Sequence, residues 1–363
     1  MPKTFTIILT FLIIGKVNSQ EFQETTKGKF SGLVFGDYFY NLQRDTNIMT
    51  LKDVANGGTQ DVHGLRLRRI YFTYDYKISD KLNTRFRLES DETQFTSSLK
   101  GAASSFGMFV KDAYLSWSFH SNHNITIGIQ DPPTFVISES FWNNRFHEKT
   151  IMNLRGYSSR DLGITLKGKI DDAGIFNYRV MAGNGSASIP ENDKYKNYYG
   201  HLEVKPVSGM SIVAYGDYKS RKKITDIYQN KSVSNNISTA ALFVGYRQKD
   251  KFSFGLETFY RFTENGYDNK TDSLFADAEG LGLSVFATVN INPKNALFGR
   301  FDYYDPDTNT TSNLRNMMFF GLNHKVDDKF IISPNIVVET YEKAENTDIK
   351  NSITPRLTFF WSF

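Results

Sequence analysis

Hydrophobic and polar residues alternate along most of the chain from residue 29 onward. In the segment 82–91, Thr84, Phe86 and Leu88 share one parity. The other parity holds four charged residues, Arg85, Arg87, Glu89 and Asp91. Successive side chains of a β-strand point to opposite faces, so this pattern predicts a strand with one apolar and one charged face. The same alternation recurs within 125–129, 162–166, 176–180, 242–246, 252–256, 281–285 and 332–338.

Short and long connections follow one another in turn between these segments. Seven short turns fall at 79–81, 121–123, 171–173, 206–209, 249–251, 292–294 and 326–328. Eight longer polar stretches lie near 42–61, 92–106, 131–160, 184–195, 220–235, 264–278, 305–313 and 342–350. An even strand number with such alternating connections is typical of single-chain transmembrane barrels. We therefore predict an all-β fold, a transmembrane antiparallel β-barrel of about sixteen strands.

A barrel of this size encloses an aqueous channel rather than a packed core. The charged faces must line that channel, because a charge facing lipid near the bilayer midplane costs about 2–4 kcal/mol. Cations and carboxylates are mixed on these faces, which favours a transverse electric field over a purely basic tunnel. For any single residue, the alternative is an ordinary water-wetted side chain. The predicted pore-lining residues are Arg85, Arg87, Glu89, Asp91, Lys167, Lys169, Arg179, Arg247, Arg261, Arg300, Asp302 and Arg356.

The alternation is weakest in the first two predicted strands. It breaks around Arg66, Arg68 and Arg69. An irregularity of this kind predicts a β-bulge in the second strand.

Composition and charge exclude several classes of protein. The chain has 363 residues, 43 Lys and Arg against 39 Asp and Glu, and no cysteine. The near-neutral charge favours neither a nucleic acid nor an acidic partner. The absence of cysteine excludes disulfides, thiolate metal sites and a cysteine nucleophile. The mean hydropathy is −0.42 and aromatic residues make up 15% of the chain, as expected where lumenal polar positions dilute the lipid-facing ones and aromatics form girdles.

The N-terminus has the features of a secretory signal peptide. Lys3 precedes an apolar run over 5–14, and small residues at 17–19 precede Gln20. The run is shorter than the roughly 20 residues of a membrane-spanning helix. We predict a signal peptide over residues 1–19 and a barrel over residues 20–363; the alternative is a retained N-terminal anchor.

The longest predicted connection, 131–160, is the third external loop. It is richer in aromatic and apolar residues than a loop that only contacts water, and its composition is not that of disorder. We predict that it folds into the lumen and narrows the pore. The alternatives are a surface cap or a contact over a neighbouring subunit's rim. The charges expected at the constriction are Glu139, Arg145, His147, Glu148, Lys149 and Arg155.

The sequence contains no recognised catalytic or metal-binding motif. Its six histidines form no His-Glu-x-x-His pattern, and no Gly-x-Ser-x-Gly elbow is present. Asp305 opens a stretch that begins like a calcium loop, but Thr310 stands at its sixth position and Asn316 at its twelfth. We expect no enzymatic activity, no cofactor and no metal.

The last residues resemble the closing strand of bacterial outer-membrane barrels. Phe359, Trp361 and the terminal Phe363 share one parity. In proteins with such an ending, the final aromatic residue is read by the barrel-assembly machinery. The resemblance implies that these three residues form the assembly signal.

Several segments resemble the phosphate-selective porin O/P superfamily, in its Bacteroidetes-type form. They are 64–70, 109–115, the proline-bearing start of the third loop, 155–163 and 183–185. The resemblance covers mainly residues 60–206 and implies a sixteen-stranded homotrimeric porin whose third loop forms the eyelet. It would lie in the outer membrane, in contact with lipid and lipopolysaccharide. We expect passive diffusion of small hydrophilic or ionic solutes; the alternatives are an anion- or phosphate-preferring channel and a non-conducting adhesin or docking barrel.

Overall fold

The computed structural model describes residues 27–46, 58–91, 107–270, 273–342 and 349–363. Sixteen strands close into one antiparallel barrel, which confirms the predicted architecture and strand number. A separate two-stranded hairpin, β10–β11, lies in the connection after β9. The strands are β1 Gly28–Tyr40, β2 His63–Lys77, β3 Leu82–Asp91, β4 Phe109–His120, β5 His123–Gln130, β6 Asp161–Lys169, β7 Phe176–Gly183, β8 Asn197–Val204, β9 Met210–Lys219, β10 Ile224–Asp226, β11 Lys231–Val233, β12 Ile237–Gln248, β13 Phe252–Asn269, β14 Leu274–Asn292, β15 Asn295–Asp305, β16 Arg315–Asp327, β17 Phe330–Tyr341 and β18 Ser352–Ser362.

Two short helices, α1 (Val136–Trp142) and α2 (Ile151–Leu154), both lie in the third loop. None of the helices within the described residues is long and apolar enough to cross a membrane.

The two faces of the wall follow the alternation of the sequence. Large apolar side chains such as Phe86, Ile127 and Ile164 are exposed on the outer face. Alternate positions such as Glu89 and Thr165 are fully buried on the inner face. Because lipid tails solvate apolar side chains and not charges, this distribution suits a barrel that is surrounded by lipid.

A β-bulge in β2 turns three arginines to one side of the wall. Phe35 pairs with Arg69 and the next residue, Gly36, pairs with Leu67, so Arg68 is the extra residue between them. Arg66 and Arg68 both bind Asp37, and Arg69 binds Glu89. The bulge predicted in the second strand is therefore confirmed, and it explains how three closely spaced arginines can all face inward.

Two predicted loops contain more regular structure than expected: 220–235, which contains the β10–β11 hairpin, and 264–278. Within 264–278, β13 and β14 continue past a bulge, and the pairs Tyr267–Ala276, Asp268–Phe275 and Asn269–Leu274 extend the hairpin. β13 and β14 thus reach 18 and 19 residues, whereas β5, β7 and β8 have eight each. Where both faces of a hairpin meet water, backbone hydrogen bonds can hold the strands together without alternating apolar and polar side chains. The sequence of 264–278 lacks that alternation, so the extension could not be predicted from it. The predicted signal peptide, the 92–106 loop and parts of the 42–61 and 342–350 loops lie outside the described residues.

Candidate functional site

The third loop leaves the wall after β5 and returns at β6, but it packs against the opposite side of the barrel. Trp142 is 0% exposed, and its ring centroid lies 5.4, 6.1 and 6.1 Å from those of Phe286, Phe298 and Phe319 on β14, β15 and β16. Phe141 lies 5.3 Å from Phe243 on β12. In the closed order of strands, β15 lies opposite β5. These contacts place the loop along the inner faces of β12 to β16.

Polar contacts join the turn after α1 to the same wall. Asn143 ends α1 with φ 48°, a left-handed conformation that asparagine tolerates at helix ends. The next residue, Asn144, donates from Nδ2 to Thr288 Oγ1 at 2.8 Å and accepts from Asn323 Nδ2 at 2.8 Å. His147 Nε2 lies 2.7 Å from Asn323 Oδ1. The turn is therefore held by side chains of β14 and β16.

Arginines of the wall bind backbone carbonyls of the loop. Arg68 Nη1 donates to the carbonyl of His147 at 2.8 Å, and Arg68 Nη2 donates to that of Phe146. Arg300 donates to the carbonyl of Lys149 and binds Asp302 at 2.5 Å. These bonds hold the loop by its main chain, so its side chains remain available for other contacts.

Ion pairs fix both ends of the loop. Asp131 binds Arg179 of β7 at 2.6 Å, and Arg160 binds Asp112 of β4. Burial alone would raise the pKa of Asp131, but Arg179 and Arg160 outweigh it and lower that pKa. The Asp131 carboxylate is therefore charged at neutral pH and binds Arg179 as an ion pair.

The interior of the loop contains two buried titratable groups. Burial lowers the pKa of His147 well below its usual value, so its imidazole is neutral at pH 7. For Glu148, burial acts to raise the pKa, yet Arg68 and Arg356 prevail and lower it. The loop therefore buries a neutral histidine beside a charged carboxylate.

The predicted pore-lining residues fall into two groups. Lys167 and Lys169 are exposed, Arg85 is partly exposed in an ion pair with Asp75, and Arg87 is partly exposed beside Asp112. Glu89 is buried between Arg69 and Lys111, and Asp91 lies 4.0 Å from Arg69. Contrary to the prediction, Glu89 therefore does not line water, and neither do three other residues that the third loop covers. These are Arg300, Asp302 and Arg356, at 5%, 0% and 4% exposure.

Three further members of the predicted set also contact the loop. Arg179 binds Asp131, Arg247 lies 4.2 Å from the ring centroid of Phe141, and Arg261 lies 3.9 Å from that of Tyr157. Cation–π contacts of this kind attract a guanidinium to an aromatic face. In this structure these arginines serve to hold the loop.

The six charges expected at the constriction do not meet at one point. Glu139 and Arg145 form an ion pair of 3.0 Å that borders a cavity. His147 and Glu148 are buried in the packing of the loop. Arg155 lies 4.7 Å from the ring centroid of Tyr304, and burial lowers the pKa of Lys149.

A cavity of about 660 Å³ lies between part of the loop and the wall on β1 to β4. Near Phe146 and His147 the loop contacts this wall directly, through Arg68 of β2. Lys29, Arg87, Lys111, Arg145, Arg160 and Lys329 border it, together with one carboxylate among the described lining residues, Glu139. Asp112 and Glu89 are 1% and 0% exposed, so they sit behind the cations that they bind. The surface that faces this cavity is strongly basic.

A smaller cavity of about 410 Å³ continues along β1 to β7. Its lining cations are Lys27, Lys29, Lys77, Lys167 and Arg179. Its carboxylates, Asp75 and Asp131, are ion-paired with Arg85 and Arg179. Lys29 is exposed and borders both cavities.

Sequence reasoning missed several residues of this site. Asp37 and Arg68 stand where the alternation is poorest, and Phe360 occupies a polar parity of β18, where it packs on Phe146 at 5.1 Å. Lys111 and Arg160 were in neither the predicted pore-lining set nor the predicted set of constriction charges, although Arg160 ends the predicted loop. Within the described residues, no group of three or more His, Asp or Glu is placed to hold a metal ion.

Comparisons with known proteins show the fold. No protein-family model and no curated protein matches the sequence. The anion-selective porin from Comamonas acidovorans superimposes with TM-score 0.64 and 12% identity, over 93% of this chain and 99% of that one. The outer-membrane channel DcaP of Acinetobacter baumannii gives TM-score 0.62 and 13% identity, over 93% and 97%. OmpF of Salmonella typhi, in complex with daunomycin, gives 0.61 and 11%, over 93% and 97%. The chain therefore has the barrel fold of bacterial porins.

Proposed function

We propose that this protein is an outer-membrane channel for passive diffusion of small hydrophilic solutes, with a preference for anions. The observation that carries the proposal is the lining of the 660 Å³ cavity, where six cations face one carboxylate among the described residues. Rings of Lys and Arg in a pore favour anions, because the lining charges replace part of the solvation that the ion loses.

The charge balance of the lining refines the expectation from sequence. The sequence indicated a mixture of signs, which would sort solutes by dipole. In the structure, Asp112 is bound by Arg87 and Arg160, and Glu89 is bound by Arg69 and Lys111. Asp112 is matched by two cations, so its cluster keeps a net positive charge, whereas Arg69 of the Glu89 cluster also lies 4.0 Å from Asp91. A basic passage favours the anion-preferring form of the channel.

Several features support the membrane setting of the proposal. The outer face carries exposed apolar side chains, and the three similar structures are a porin, a channel and OmpF. In this setting residues 1–19 direct export, and Phe359, Trp361 and Phe363 engage the assembly machinery. The barrel contacts lipid and lipopolysaccharide and assembles as a homotrimer. Membership of the phosphate-selective O/P superfamily is the finer form of the same proposal.

Ion flow through the refolded protein tests the proposal. The protein is reconstituted in planar bilayers under a KCl gradient, after its heat-modifiable migration in SDS gels has shown that it is folded. We expect stepwise currents and a reversal potential whose sign reports chloride as the more permeant ion. A reversal potential of the opposite sign would overturn the anion preference. Silence from a demonstrably folded barrel would overturn the channel in favour of a docking barrel.

Phosphate distinguishes a general anion channel from a specific one. In a general channel, phosphate at millimolar concentration leaves chloride current nearly unchanged. In a phosphate-specific channel, the same concentration blocks chloride current because phosphate occupies the passage for longer.

A further inference from the structure

Asp37 of β1 is a buried carboxylate that binds three wall residues. It is 0% exposed. Its oxygens accept from Arg66 Nε at 3.0 Å and Thr358 Oγ1 at 3.1 Å, and they lie 2.9 Å from Arg68 Nη2. These partners come from β2 and β18, so Asp37 joins the strands on both sides of β1.

Arg68 connects this carboxylate to the third loop. Its guanidinium binds Asp37 and also donates to the carbonyls of Phe146 and His147. Arg356 of β18 adds a longer bond of 3.4 Å to the same His147 carbonyl, while its Nε donates to Asn335. The β2 bulge makes this possible, because it brings Arg68 to the inner side together with Arg66.

Removal of the carboxylate would leave buried cations with less compensating charge, since Glu148 would remain near Arg68 and Arg356 but Asp37 would no longer bind Arg68. Arg68 and Arg356 are 6% and 4% exposed. Breaking a buried ion pair by removing one partner is strongly destabilising, because the remaining charge is desolvated. The guanidinium of Arg68 would turn toward water in the lumen and release the two carbonyls of the loop.

We infer that Asp37 is a positioning residue for the third loop: it fixes Arg68 against the carbonyls of Phe146 and His147 and so sets the width of the passage beside β1 to β4. The role in setting the width of the passage rests on the proposed channel function. The role of Asp37 in holding the loop in position does not depend on that function. Because the bonds go to carbonyls, the loop side chains can differ without loss of this attachment.

The absence of cysteine from the chain allows a direct test. Thr150 of the loop is 1% exposed, and its hydroxyl has no hydrogen-bond partner among the described residues, so Thr150→Cys is a mild buried reporter. The rate of maleimide modification is measured on the refolded full-length protein in detergent. Asp37→Asn should raise this rate about tenfold or more, because charge-assisted hydrogen bonds to the loop are lost.

Two matched controls separate loop release from general loosening. Glu89 is equally buried, but within the part of the chain that the structure describes its ion pairs join only the wall residues Arg69 and Lys111, so Glu89→Gln should leave the Thr150→Cys rate unchanged. A reporter at Thr165→Cys, on the 0% exposed Thr165 of β6, should stay unmodified in the Asp37→Asn background.

A second variant keeps the test decisive if Asp37→Asn does not fold. Arg68→Gln removes the Arg68 bonds to both loop carbonyls, keeps the longer Arg356 bond to the His147 carbonyl and leaves Asp37 bound to Arg66 and Thr358, so it should expose Thr150→Cys in the same way. The inference is overturned if neither folded variant labels faster than Glu89→Gln. Faster labelling in a barrel whose wild type carries no current would leave the positioning role intact and overturn the channel instead.

Discussion

The ring of Phe363 lies over Gly32 at the seam where β18 closes on β1. The backbones of the two residues exchange hydrogen bonds of 3.0 Å in both directions. A Cβ atom added to Gly32 would lie 2.1 Å from the tip of the Phe363 ring. Phe359 covers Gly36 in a similar way, 2.7 Å from an added Cβ. The terminal strand therefore closes the barrel with aromatic rings laid on glycines, which shields the backbone there.

The first prediction concerns this seam. Gly32→Val should sharply reduce the yield of folded barrel, because its side chain takes the space of the Phe363 ring. The measurement is the fraction of heat-modifiable protein in SDS gels after refolding. Gly216→Ala is the matched control, since its Cβ would have 3.6 Å to the nearest backbone oxygen. Equal yields for both variants would show that the ring contact is dispensable.

A second prediction concerns Lys29, which borders both cavities and has no ion pair among the described residues. Lys29→Gln should lower the chloride-to-potassium permeability ratio about two- to threefold, since a unit charge ~7 Å away in water contributes about 0.6 kcal/mol. The reversal potential in a KCl gradient measures the ratio. Lys81→Gln, at an exposed turn residue that lines neither cavity, should not change it. An equal change of the permeability ratio in both variants would show that Lys29 has no specific role in ion selectivity.

Trp142 gives a third prediction. Trp142→Ala should free the third loop, because truncation of a buried Trp costs roughly 3–5 kcal/mol and the contacts with Phe286, Phe298 and Phe319 are lost. The barrel itself should still fold, since these partners remain in the strand ladder. Limited proteolysis should cut the loop, and conductance should rise. Trp117→Ala, on the exposed outer face, is the control; resistance to protease in both variants would contradict the anchoring role.

The fourth prediction concerns acid. Burial lowers the pKa of His147 in the docked loop, whereas a released loop would expose an imidazole with a pKa near 6.5. The released state therefore binds more protons, so docking is favoured above about pH 6.5 and weakens as the pH falls below it. Arg68 and Arg356 lower the pKa of His147 further, and Asp37 opposes them.

Single-channel records at pH 7.5 and pH 5.0 provide the measurement. Wild-type channels should show more current noise and more closures in acid. His147→Gln, which cannot titrate, should abolish this difference, and His324→Gln, at an exposed site, should retain it. An acid response that persists in His147→Gln would assign it to another group.

Period-two alternation predicted the barrel and the bulge, because lipid on one side and water on the other impose opposite polarities on the two faces. The succession of short and long connections predicted the strand number. The same rule misjudged Arg300, Asp302 and Arg356. Their parity correctly indicated an inward direction, but it could not show that Trp142 and its neighbours would cover them. Which inner residues meet water depends on contacts between residues 140 or more positions apart, and no local pattern reports such distances.

Phe360 illustrates the same limit from the apolar side. It breaks the polar parity of β18, and the sequence offers no reason for an aromatic ring inside a water-filled barrel. The structure supplies one, since Phe360 packs on Phe146 of the loop. An apolar residue at an inward-facing position can thus indicate that a loop packs against it. The alternation pattern alone records such a residue only as an exception.

The uneven height of the wall has a consequence for what can approach the protein from outside. The 19 residues of β14 span about 60 Å, and at a tilt near 45° they rise roughly 40 Å, well above an apolar band of roughly 25 Å. The pairs Asp268–Phe275 and Asn269–Leu274 stand at the end opposite Gly32 and Phe363. Among the described strands β13 and β14 are the longest, so their hairpin would stand out from the membrane surface, where a large particle such as an antibody could bind it without entering the channel.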